Sequence, residues 1–167
     1  MSNQFVIDAL DFVHNAGSLR GRVTPFELER LRDYLANCAG ELSFSINGVI
    51  DKHGRPMLSI AVNGIVNLSC QRCLNELGHS LNLKTELLLA KNEDELCRYD
   101  EDASIDVILA SDKLNTLALV EDEIILSLPI SPRHTDIECQ STNTQKIHKS
   151  TANGHPFAAL ASLKQSH

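Results

Sequence analysis

Apolar positions along the chain change their spacing more than once, and each change marks an element. From Thr24 the sequence Thr-Pro-Phe-Glu offers an N-cap, a proline suited to the first helical position and a glutamate able to close a capping box. Leu28, Leu31, Leu35 and Cys38 then recur at helical spacing until Gly40. The pattern predicts one helix over 24–40 that covers a sheet. From Leu42 the period becomes two. Leu42, Phe44 and Ile46 share a strand face, and Asp51-Lys-His-Gly54 makes a turn. Leu58, Ile60, Val62, Val66, Leu68 and Cys70 alternate with polar or small residues, giving a long strand with one buried and one wet face and an expected bulge at Gly64. The alternation resumes at Leu77, His79, Leu81 and Leu83, which places the intervening cysteines at the turn between two antiparallel strands. In this register His79 reads as a strand-face residue.

Residues 91–106 set seven carboxylates against Lys91 and Arg98 and read as a solvated acidic loop without a calcium-loop pattern. Ile105, Val107 and Leu109 suggest a short strand. Leu117, Val120, Ile124 and Leu128 suit a helix capped by Asn115 and ended by Pro129 and Pro132. Glu121, Asp122 and Glu123 fall within one turn of that helix, so they splay around its axis and read as a solvated face. Residues 140–154 lack periodicity and read as a flexible linker. Residues 155–167 form a C-terminal docking segment, with Phe157, Leu160 and Leu163 on one face of a helix too short to be stable alone. The expected architecture is therefore α+β: residues 1–139 form a domain with an antiparallel β-sheet, flanking helices and a Cys-x-x-Cys knuckle, followed by linker and docking segment.

Composition narrows the function. The 167 residues are 43% hydrophobic and 22% charged, the balance of a globular protein. The net charge of −7 argues against nucleic-acid binding by bulk electrostatics. That acidity is concentrated at 91–106 and 121–123, which leaves the rest of the chain close to neutral. A local RNA-facing patch is compatible with this distribution. Arg20, Arg22, Arg30 and Arg32 are its candidates, with ordinary solvated surface as the competing reading. No apolar window reaches the roughly 18 residues of a membrane span. The start, Met-Ser-Asn-Gln-Phe-Val-Ile-Asp, has no basic, apolar signal-peptide character, so a cytoplasmic protein with reduced thiols is expected.

Five cysteines, an odd number, do not describe a disulfide scaffold. Cys70-Gln-Arg-Cys73 has the spacing that lets two sulfurs point into one tetrahedral site from a knuckle turn. His134 and Cys139, after the proline-marked turn, complete a Cys₃His set that zinc accepts as a closed structural site. Three alternatives stay open: a thiol redox pair, cysteines that are merely packed, and a knuckle whose metal is absent or labile. Redox chemistry would require Cys70 at a helix N-terminus, whereas strands flank it on both sides. Cys38 suits a helix core face and Cys97 a loop. No Ser-His-Asp or Cys-His nucleophile arrangement and no glycine-rich phosphate loop is visible, so catalysis and a small-molecule substrate are not expected.

Three blocks resemble the bacterial YceD family of large ribosomal RNA subunit accumulation proteins: Cys70-Gln-Arg-Cys73 after a strand, Val120 through His134 followed by Cys139, and Pro156-Phe-Ala-Ala-Leu-Ala-Ser-Leu-Lys164. The helix start at Thr24-Pro25 is similar too. The resemblance implies a role in synthesis, processing or stability of large-subunit (23S) ribosomal RNA and implies no enzyme activity. It places Cys70, Cys73, His134 and Cys139 on the family's recurring cysteine and histidine positions, and Glu121–Glu123 on its acidic run. The chain departs from its relatives in the linker, where 140–154 hold no acid. Three hypotheses follow. The first is a biogenesis factor acting on large-subunit ribosomal RNA or on an assembling ribosomal protein. The second is a protein adaptor using Pro156–Lys164 and the Glu121–Glu123 surface, and the third is a thiol redox enzyme.

Overall fold

The computed structural model describes residues 5–101, 106–135 and 139. The expected linker and docking segment, with Phe157, Leu160 and Leu163, and also Ile105, lie outside the described residues. Within them the architecture is α+β. A short strand β1 (Val6–Ile7) leads into α1 (Ala9–His14), capped by the Asp8 side chain, and then into β2 (Ser18–Val23). After two 3₁₀ turns come β3 (Leu35–Asn37), β4 (Leu42–Ile50), β5 (Pro56–Ser69) and β6 (Glu76–Ala90). Helix α2 (Glu93–Asp100) leads to β7 (Asp106–Leu109), then β8 (Leu114–Asn115) and α3 (Thr116–Ser127).

The main sheet runs β2-β4-β5-β6-β7, with β3 on β5 beyond the end of β4, while β1 and β8 pair separately. Its pairs are antiparallel except β6–β7, which is parallel. A parallel pair cannot be joined by a tight turn. The acidic connector supplies the crossover, and over Glu93–Asp100 it is helical rather than the expected loop. Asn92 accepts from the Glu95 N–H, and Glu93, Asp94 and Glu95 sit in the first turn, where the helix dipole favours negative charge. Cys97 accordingly lies on an exposed helix face and not in a loop.

Period two is realised as read. Leu42, Phe44 and Ile46 on β4, Leu58, Ile60, Val62, Val66 and Leu68 on β5, and Leu81, Leu87 and Leu89 on β6 form one core. Ala9 and Val13 of α1 and Leu119, Val120 and Ile124 of α3 pack into it. The expected bulge at Gly64 is absent, because pairing with β6 runs in register through Gly64 and pairing with β4 stays in register up to it. Glycine is there for space: an added Cβ would lie 2.5 Å from Leu42 Cδ2.

The largest departure is the helix expected over 24–40. Its start is correct in detail, since the Glu27 carboxylate accepts from the Thr24 N–H at 2.7 Å and from its hydroxyl at 2.8 Å. The chain then makes only the 3₁₀ turns Pro25–Glu27 and Leu31–Tyr34 and enters β3, leaving Cys38 half-buried just beyond it. Two tertiary partners outcompete the helix. The Glu121 carboxylate takes the N–H groups of Arg30 and Leu31, and the stretch of β5 left uncovered by β4 takes Leu35–Asn37. Leu28 and Leu31 are still buried.

Candidate metal centre

The turn from β5 to β6 is a knuckle. The Cys70 N–H donates to the Asn75 carbonyl at 2.9 Å and the Leu74 N–H to the Cys70 carbonyl at 2.8 Å, with Leu74 left-handed at φ 62°. No helix starts at Cys70, so the redox reading lacks the dipole it requires. Beyond α3, which ends at Ser127 ahead of Pro129 and Pro132, the Gln71 N–H donates to the Pro132 carbonyl at 2.8 Å. That bond lays the segment leading to His134 and Cys139 against the knuckle.

Four side chains converge there. One ligand atom from each of Cys70, Cys73, His134 and Cys139 lies within 4.8 Å of all the others. Cys70 and Cys139 Sγ are 3.9 Å apart, far beyond a disulfide, and Cys73 Sγ is 3.4 Å from His134 Nδ1. Zinc bonds of about 2.3 Å to sulfur place tetrahedral ligand atoms about 3.8 Å apart. The donor set and its spacing fit that ion.

The surroundings are arranged for the same chemistry. His134 Nε2 lies 2.9 Å from the Glu76 carbonyl, and donation there leaves Nδ1 as the lone pair facing the cysteines. Arg72 Nε donates to Cys139 Sγ at 2.9 Å. Burial pushes the Cys70 thiol up, but backbone N–H bonds from Cys73, His134 and Arg72 outweigh it and bring its pKa to about 5. At Cys73 the Asn75 N–H bond favours the thiolate, yet burial and the neighbouring Cys139 and Cys70 sulfurs prevail and raise the thiol. Sulfurs this close oppose one another's ionisation, and a shared cation removes that conflict. Arg72 and the Glu76 carbonyl escaped the sequence reading. Arg72 occupies a variable position of Cys-x-x-Cys, and a backbone carbonyl has no residue signature.

The four arginines do not form one patch. Arg20 and Arg22 project from β2 on the face away from the main core, in cross-strand rows with Ser45, Ala61 and Lys84 and with Ser43, Asn63 and Asn82. A shallow depression of about 500 Å³ runs between them. Arg22 has one exposed partner, Glu41 at 3.3 Å. Arg32 stacks over Phe26 at 5.2 Å. Arg30 is a correction: it reaches α3, where its Nε donates to Glu121 at 2.9 Å and its Nη1 to Asp122 at 2.5 Å. Those bonds raise its pKa further and occupy it within the fold. Glu121 is a second correction, being buried and structural rather than part of a solvated acidic face.

Fold and site together define a small α+β protein built around a cysteine–histidine knuckle, with a wet, partly basic sheet face on the side away from the core. The chain belongs to the family described as Large ribosomal RNA subunit accumulation protein YceD, whose model matches residues 58–164. It is similar, at 25% identity over 144 residues and 83% of each chain, to a Haemophilus influenzae protein named "Large ribosomal RNA subunit accumulation protein YceD". No solved structure matches it. No helix among the described residues is long and apolar enough to cross a membrane.

Proposed function

We propose that this protein is a non-catalytic, cytoplasmic ribosome-biogenesis factor that supports accumulation of large-subunit ribosomal RNA. Family membership across residues 58–164 carries the reading. Cys70, Cys73, His134 and Cys139 hold one structural zinc ion that fastens the segment after α3 to the β5–β6 turn. Residues 1–139 act as the folded domain, 140–154 as a linker and 155–167 as a docking segment that presents Phe157, Leu160 and Leu163. Arg20 and Arg22 face RNA phosphates, with Arg32 as a separate contact, whereas Arg30 does not take part. The Arg22–Glu41 pair is exposed at both ends, and such pairs contribute little, so a phosphate displaces it readily.

Crosslinking in cells tests this reading by identifying the immediate neighbour. The expected neighbour is large-subunit ribosomal RNA, with crosslinks at Arg20 and Arg22 on β2. Crosslinks confined to proteins would favour the adaptor reading, in which an assembling ribosomal protein is the direct partner.

A further inference from the structure

We propose that the groove between α3 and β7 is a docking site for an extended, basic segment of a partner protein. The groove, about 540 Å³, lies on the core side of the sheet where the sheet ends. Leu83, Leu87 and Ile108 form its apolar floor, and Leu126, 80% exposed, stands at its wall. Glu123 and Asp106 line the same groove. Among the described residues no lysine or arginine pairs with either carboxylate, whereas Glu121 and Asp122, on the same helix, both hold Arg30.

Half-burying a carboxylate beside another without a cation is unfavourable, and its titration reflects that. Burial raises the Glu123 pKa, the Thr85 hydroxyl bond lowers it in part, and the Asp106 and Asp122 charges raise it again. An arriving Lys or Arg side chain supplies the missing charge. Phosphate is excluded by the same carboxylates, so the occupant is a polypeptide and not RNA.

The sheet supplies the means of attachment. β7 is the last strand in the order, and among the described residues its outer edge pairs with nothing. Asp106 and Ile108 share the core-side face with their register partners Leu87 and Leu89. An extended chain added along that edge gains main-chain hydrogen bonds and directs alternate side chains over the groove. Its apolar residues cover the floor and Leu126, while its Lys or Arg side chains meet Glu123 and Asp106. This assignment does not depend on the RNA-facing reading of Arg20 and Arg22, which lie on the opposite face.

The test uses the full chain and a labelled peptide of about eight residues alternating lysine and valine, long enough to span β7. Its matched control alternates glutamate and valine. The lysine peptide is expected to bind and to shift the backbone amide resonances of 106–109. Its Kd should rise about tenfold in Glu123→Gln/Asp106→Asn and in Leu126→Ser. The glutamate peptide should not bind. An unchanged Kd in both variants, shifts away from β7, or equal binding of the two peptides would overturn the proposal. So would binding that appears only after Phe157, Leu160 and Leu163 are all changed to alanine, since that result gives the groove to the chain's own C-terminal segment. Ribosomal RNA crosslinks at Arg20 and Arg22 that persist in Leu126→Ser separate failure here from failure of the biogenesis reading.

Discussion

At the scale of the residue, the knuckle gathers three sulfurs and one imidazole within 4.8 Å of one another, close enough to hold one metal ion. Purified protein should contain about one equivalent of zinc per chain, and Cys70→Ser/Cys73→Ser should contain none. Metal analysis decides it, and a folded, metal-free wild type would contradict the assignment. Asp51, in the β4–β5 turn, shows how far local hydrogen bonds move a charge. Burial pushes its carboxyl up, but the N–H of Arg55, the Arg55 guanidinium and the N–H of His53 together hold its pKa at about 2, against an ordinary 3.8. A folded-state pKa below the unfolded value gives stability that is complete above the unfolded value and is lost as pH falls through the folded one. The Asp51 resonance should therefore titrate near 2 by NMR, and Asp51→Asn should remove that part of the acid-induced loss between about 4 and 2. Titration near 4 would show that the turn does not hold the carboxylate.

At the scale of the element, Glu121 is the bond between α3 and the chain that failed to become a helix. Its Oε1 accepts the Arg30 N–H at 2.7 Å and the Leu31 N–H at 3.0 Å, while Oε2 takes the Arg30 side chain. Glu121→Ala strands buried donors and should cost about 2–3 kcal/mol in urea denaturation. Glu121→Gln can keep both backbone bonds and should cost less. Equal losses would mean that the ion pair, not the backbone capture, holds the two segments. The sequence disclosed the ends of this region but not its middle. Thr24 and Glu27 meet locally, so their box could be read directly, whereas the carboxylate that competes for the Arg30 and Leu31 amides lies ninety-one residues from Arg30 in the chain. Gly48 makes a related point: an added Cβ there would lie 2.7 Å from Val13 Cα, so its lack of a side chain lets α1 cross β4 closely.

At the scale of the molecule, the sheet separates two kinds of surface. The side away from the core carries serine, asparagine, Arg20, Arg22 and Lys84, while α1 and α3 cover the other. Counterion release makes phosphate binding salt-dependent in proportion to the contacts made. Arg20→Ala/Arg22→Ala should therefore weaken binding to ribosomal RNA fragments and flatten the plot of log affinity against log salt by about two contacts' worth. An unchanged slope in a titration across salt concentrations would remove these residues from the RNA-facing surface. By itself the sequence determined the alternating strands, the Asn115 cap of α3 and the Cys-x-x-Cys turn, because each rests on neighbours a few residues apart. It also offered all four residues of the proposed metal set, since sulfur and imidazole announce their chemistry wherever they stand. Only the tertiary structure decided that 24–40 is not one helix, that Arg30 serves the fold, and that a parallel strand needs a helix across the acidic connector. Those outcomes depend on which distant group reaches a backbone donor or a free strand edge first, and no local pattern records that competition.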